Sequence, residues 1–118
     1  MIFVIDDDEI MRECIARVCS RYDVSMFSDA ISAMQKIASG TLPDLIFIDV
    51  MLTGPDGFTF LNELLSYTDT AKIPVVIVTA LEMPKADLST YGVVGVLNKE
   101  KMTPKDIKEY VKKYAKWY

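Results

Sequence analysis

Leu45-Ile46-Phe47-Ile48-Asp49 is a short, unbroken apolar run, half isoleucine, that stops at a carboxylate. Four residues are too few for a helix, and the missing polar alternation excludes a strand with one wet face. The run therefore reads as a strand buried on both faces of a parallel sheet. Ile2-Phe3-Val4-Ile5 and Val75-Val76-Ile77-Val78 have the same character. Val24 to Phe27 and Val94 to Leu97 are less uniformly apolar, which suits them to the sheet's edges.

The intervening stretches change to helical period. Ile10, Met11, Cys14, Ile15, Val18 and Cys19 form one stripe, and Ala30, Ala33, Met34, Ile37 and Ala38 form another, closed by Gly40. Phe60, Leu61, Leu64 and Leu65 mark a third. Thr103-Pro104 opens the last helix with an N-cap and an N1 proline ahead of Ile107, Val111, Tyr114 and Tyr118. Pro84 to Tyr91 supplies barely two turns, with only Ala86 and Leu88 to bury, and predicts a short, mobile fourth helix. Five β-α units with right-handed crossovers predict an α/β fold. It is the flavodoxin-like doubly wound (βα)5 sandwich, a parallel five-stranded sheet of order 2-1-3-4-5.

The 118 residues, 51% hydrophobic and 25% charged, fit one globular domain spanning 1–118. No apolar run approaches the roughly 18 residues of a membrane span, and Met1 opens into a strand without a basic leader, so a cytoplasmic, membrane-free protein is expected. Cys14 and Cys19 lie about 140° apart on one helix, unable to bridge, and read as reduced core thiols. The absence of histidine removes Ser-His-Asp triads, Cys-His pairs and His-zinc sites together. Residues 1–98 carry 6 basic against 14 acidic side chains and residues 99–118 carry 7 against 3. An acidic body argues against direct nucleic-acid binding, and the lysine-rich end reads as a solvated helix face.

In a doubly wound sheet, ligands bind at the carboxyl ends of the strands. There the chain places Asp6-Asp7-Asp8-Glu9 after strand 1, Asp49 after strand 3, Thr79 after strand 4 and Asn98-Lys99 after strand 5. Asp8 directly precedes a helix and reads as its N-cap. Asp6, Asp7 and Asp49 would repel one another, and a hard divalent cation with oxygen ligands, Mg²⁺, relieves that repulsion. Such a cation beside Asp49, with Thr79 and Lys99 as donors, is equipment for stabilising a phosphoryl group in transfer, and makes Asp49 the candidate nucleophile. Each residue taken alone has an ordinary reading as a cap, a loop hydroxyl or a surface charge. Their joint placement on successive strand ends carries the functional one.

With these residues in place, the chain resembles the receiver domain of two-component response regulators, chemotaxis-regulator-like, from Ile2 to about Tyr118. Asp6 and Asp7 match the family's acidic pair, Asp49 its phosphoacceptor, Asp56-Gly57 the Asp-Gly that comes after it, and Val78-Thr79-Ala80 and Lys99 the rest. The resemblance implies that Asp7, Asp49 and the backbone carbonyl of Met51 touch Mg²⁺, that Asp6 acts through water, and that Thr79 and Lys99 grip the phosphoryl oxygens. It implies a switch rather than a turnover enzyme. The phosphoryl donor would be a sensor histidine kinase or phosphotransfer protein, and the receiver of the signal a downstream protein target or output domain.

Three positions depart from the family. Glu100 stands after Lys99 where a cis proline is usual, so a trans bond is expected. Val96 stands for the switch aromatic and Thr53 for a proline. The residues two past the phosphoacceptor and two past the threonine, which tune dephosphorylation in receivers, are Met51 and Leu81. A receiver kept only as a protein-docking module is the main alternative. A phosphohydrolase would want a carboxylate at position 51, and a flavin protein a hydroxyl-rich loop after strand 1.

Overall fold

The five apolar runs align into one parallel sheet, observed in a computed structural model that describes residues 1–52, 57–82 and 88–115. The strands are β1 (Ile2–Ile5), β2 (Val24–Phe27), β3 (Leu45–Ile48), β4 (Val75–Thr79) and β5 (Val93–Asn98), in the order β2-β1-β3-β4-β5. Every residue of β1, β3 and β4 is buried, whereas β2 and β5 are only half-buried. This is the expected division between central strands, covered on both faces, and edges.

Side-chain alternation distributes the core between two layers. Phe3, Ile5, Ile46, Ile48 and Ile77 face one way, onto Ala33 and Ile37 of α2 (Ala30–Ala38) and Phe60, Leu61 and Leu64 of α3 (Gly57–Leu65). Ile2, Val4, Leu45, Phe47, Val76 and Val78 face the other, onto Ile15 of α1 (Glu9–Val18) and Ile107 and Val111 of α4 (Pro104–Tyr114). Each such side chain contributes about 1.5–3 kcal/mol on burial. Two contiguous cores therefore hold the strand ends in fixed positions.

The helix starts obey the caps. Asp8 accepts hydrogen bonds from the backbone N–H of Ile10 (3.0 Å) and Met11 (3.4 Å), as its place before α1 predicts. Thr103 and Asp106 form a reciprocal capping box, with the Thr103 N–H donating to Asp106 at 2.8 Å. Thr103→Ala is expected to lower stability by about 1 kcal/mol, read as a lower urea midpoint with an unchanged slope.

Several expectations need correction. Ile10 is 80% exposed and Cys14 is exposed, so only Cys19 is a core thiol. Met11, Ile15, Val18 and Cys19 pack against the core, so the covered stripe is narrower than the apolar one, and Ile10 and Cys14 lie on its solvent-facing flank. Burial pushes the Cys19 thiol up to about 11. Ala38 and Leu65 are likewise exposed at the ends of their helices. Of the expected fourth helix, Pro84 to Asp87 lie outside the described residues, and Leu88–Tyr91 form a 3-10 turn anchored by buried Leu88. Among the described residues no helix is long and apolar enough to cross a membrane.

Candidate functional site

Register places the acidic residues before any side chain is considered. Ile5 pairs with Ile48 across β1 and β3, so Asp6 and Asp49 leave the sheet side by side. The Asp49 N–H continues the ladder by donating to the Ile5 carbonyl at 3.0 Å. Both acids share strand parity with Val4 and Phe47, which face α1 and α4. Lys99, two past Leu97, has the same parity. Thr79 pairs with Asn98, and the Lys99 N–H donates to the Thr79 carbonyl at 2.9 Å, so the last two strands also end together.

The side-chain geometry is a consequence of this placement. Lys99 Nζ donates to Asp49 Oδ2 at 2.7 Å and lies 2.8 Å from Asp6 Oδ2. The other oxygens accept backbone N–H groups, Asp6 Oδ1 from Asp8 and Asp49 Oδ1 from Met51, each at 2.9 Å. Thr79 is fully buried, and its Oγ1 accepts the Leu81 N–H at 3.3 Å. Asp6 is 1% exposed and Asp49 5%, whereas Met51 is 54% and Leu81 45% exposed. The site is a floor of fixed polar groups, with Met51 and Leu81 exposed on the loops that leave Asp49 and Thr79.

Burial is the largest influence on Asp6 and lifts its carboxyl above the ordinary value, although Lys99 and the Asp8 N–H pull it down. For Lys99, burial works against the charge. The hydrogen bond to Asp49 and the proximity of Asp6 outweigh it, holding the ammonium above its usual value.

Asp6, Asp49 and Lys99 are thus brought together, with Thr79 beside them in the adjoining strand. Asp7 is exposed, and Asp8 is occupied as a cap. Thr53 and Asp56 lie outside the described residues. Among the described residues no three acidic or thiol side chains gather into a metal-holding cluster. The donor chemistry nevertheless suits Mg²⁺, which takes one or two carboxylates and fills its remaining positions with water and other oxygens. Asp6 Oδ2, moreover, is buried without a directed hydrogen bond. The Lys99–Glu100 bond is trans, since no cis peptide occurs among the described residues.

Three supporting residues escape a reading of the sequence alone. Arg12 donates through Nη1 to the Asp6 carbonyl at 2.7 Å, fixing the backbone that carries the acid. Its six-residue spacing from Asp6, across a helix cap, is the available signal. Gly95 leaves a slot that the Tyr110 ring of α4 fills, so a Cβ there would run into the ring. The ring lies against β5 on its α4 side, whereas Val96 faces the other core.

Gly57, first residue of α3, enters the sequence pattern only as half of a dipeptide. A Cβ on it would lie 2.7 Å from Val50 Cα and 2.9 Å from the Asp49 carbonyl oxygen, both backbone atoms. Gly57→Ala is expected to cost about 2 kcal/mol by forcing this backbone apart, and to shift the amide resonances of Asp49 and Val50.

Comparison with known proteins agrees with this architecture. The sequence matches the response regulator receiver domain over residues 2–112. The response regulator PleD of Caulobacter vibrioides is 41% identical over 83 residues, covering 69% of this chain and 18% of that protein. The DNA-binding dual master transcriptional regulator RpaA of Synechocystis is 39% identical over 82 residues, 68% of this chain and 34% of that protein. The chain spans about a third or less of the length of these curated relatives.

Among solved structures, the chemotaxis protein CheY4 of Vibrio cholerae superposes with a TM-score of 0.83 at 20% identity over 96% of each chain. The response regulator TrrA of Thermotoga maritima, solved in complex with Mg²⁺-BeF, gives 0.79 at 24% identity over 95% of this chain and 96% of that one. At these identities the likeness carries the fold. The sequence match carries the family, because it runs from the first strand into the last helix and takes in every strand end described above: the chain belongs to the response regulator receiver domains of two-component systems.

Proposed function

We propose that this receiver, spanning 1–118, takes a phosphoryl group onto Asp49 from a phosphohistidine of a sensor histidine kinase or phosphotransfer protein, and signals to a downstream target or output domain by a change of surface. The observation that carries this reading is the Lys99 ammonium, its Nζ set against both Asp49 Oδ2 and Asp6 Oδ2. An Asp49 carboxylate oxygen attacks phosphorus, the P–N bond breaks, and its electron pair returns to the imidazole nitrogen. The hydrogen bond from the Met51 N–H orients the attacking carboxylate. Lys99 has three donors and tracks the charge from the carboxylate to the phosphoryl oxygens, and the Thr79 hydroxyl donates to another.

Asp6, Asp7, Asp49 and the Met51 carbonyl would hold Mg²⁺, which supplies positive charge to the phosphoryl oxygens when bound. No metabolite is turned over in this scheme. Incubation with acetyl phosphate and Mg²⁺, then intact-mass measurement, tests it. The wild type is expected to gain a phosphoryl group that is base-labile, and Asp49→Asn to gain none. Equal gain in both would move the acceptor to another residue.

One observation favours a second reading, a docking module that is never phosphorylated. Val96, half-buried against the α2/α3 core, has no ring to swing, so the family's aromatic readout has no counterpart here. Absence of labelling in the wild type would select that reading.

A further inference from the structure

A cavity of about 510 Å³ opens between the end of α1 and α4, and shares no lining residue with the rim that carries Asp49. Arg17 and Arg21 line it from one wall and Lys108 and Lys112 from the other, with no carboxylate among the described lining residues. This reverses the sign of the whole chain, whose net charge is −4. The apolar part of the lining comes from Val18 and Val111, with Tyr22, half-buried against the same core, beside them.

Helix-end electrostatics explain only part of this arrangement. Arg17 and Lys112 stand in the last turns of α1 and α4, where a cation opposes the negative end of the helix dipole. Lys108 is in the middle of α4 and has no such role. Four cationic residues along one cleft, two at and just past the end of α1 and two on α4, suit charge concentrated at one point, as in a polyphosphate, better than the spaced carboxylates of an acidic peptide. Arginine forks match phosphate oxygens bidentately, and lysines add point charge. An apolar and aromatic lining within a volume usual for small-molecule sites suits a flat base attached to that charge. We propose that the α1/α4 cleft binds a nucleoside di- or triphosphate.

The test is a titration of the full chain with ADP in EDTA-containing buffer, which keeps a cation-dependent contribution at the Asp49 rim out of the measurement. Amide NMR locates the binding and calorimetry gives its strength. ADP is expected to saturate, with shifts at Val18, Arg21, Tyr22, Lys108 and Lys112 and none at Asp6 or Asp49. Pyrophosphate and adenosine are each expected to bind at least about tenfold more weakly than ADP. Lys108→Glu combined with Lys112→Glu, checked for an unchanged circular dichroism spectrum, is expected to lose ADP affinity by about a hundredfold, tenfold per charge contact. Arg17→Gln gives an independent loss should the double variant not fold. The proposal is overturned by any of three results. These are failure to saturate by about 5 mM ADP, pyrophosphate binding as tight as ADP, and an affinity unchanged in the folded cleft variants.

Discussion

Lys99→Met is expected to lower the free energy of unfolding by about 3 kcal/mol in divalent-free buffer near neutral pH. Its side chain is 15% exposed, and its Nζ lies within 2.8 Å of the carboxylates of buried Asp6 and Asp49. Methionine keeps the stem and removes the charge, leaving two buried acids facing one another. The deficit is expected to shrink as the pH falls into the carboxylate range. Burial raises the folded-state value of Asp6 above its unfolded one, so folding takes up a proton there. Stability from that proton is fully present below the unfolded value and is lost as the pH rises through the folded one. Removing Lys99 removes the main opposing influence, raises Asp6 further, and widens that window. Mg²⁺ is expected to restore part of the loss by binding the folded state. Urea melts at two pH values check this, and a deficit below about 1 kcal/mol would mean that the ion pair is worth no more than a surface one.

The strands and their order were legible because parallel-sheet burial writes itself as continuous apolar runs. The two weaker runs, Val24 to Phe27 and Val94 to Leu97, do lie at the edges, the second within the slightly longer β5. The place of Asp49 was legible for the same reason, since it ends a uniformly apolar run in mid-sheet. What lay beyond reach depends on contacts between distant segments. Ile10 and Cys14 belong to the apolar stripe of α1, yet only the flank holding Met11, Ile15, Val18 and Cys19 is covered by the core. Gly57 and Gly95 are demanded by backbone at Asp49 and Val50 and by a ring at position 110, none of which local composition reveals. The three acids at the rim read as a common repulsion, whereas the fold gathers two of them onto Lys99 and leaves Asp7 exposed. Charge balance at a site is set by which side chains share parity and register, not by how many acids stand in the loops.

The second large effect concerns the lifetime of the phosphorylated form. Hydrolysis of an acyl phosphate needs a water in line with the breaking bond, and a polar side chain at the mouth of the site can hold that water. Two residues past Asp49 and Thr79 stand Met51 and Leu81 instead, roughly half-exposed, with no side-chain hydrogen bond to offer. The Leu81 N–H is already directed to Thr79 Oγ1. Met51→Asn with Leu81→Glu is expected to speed loss of the phosphoryl group about tenfold, the equivalent of one net hydrogen bond to the attacking water. The check is a paired decay measurement in the same Mg²⁺ buffer, and an unchanged rate would show that apolar shielding does not set the lifetime.

The central claim, that Asp49 is the acceptor, is tested most directly by trapping. Borohydride reduces an aspartyl phosphate to homoserine, which peptide mass spectrometry locates without any mutation. After treatment with acetyl phosphate and Mg²⁺, homoserine is expected at position 49 and at no other aspartate. Homoserine at Asp6, Asp7 or Asp56, or none in a sample whose intact mass shows a phosphoryl group, would contradict the account.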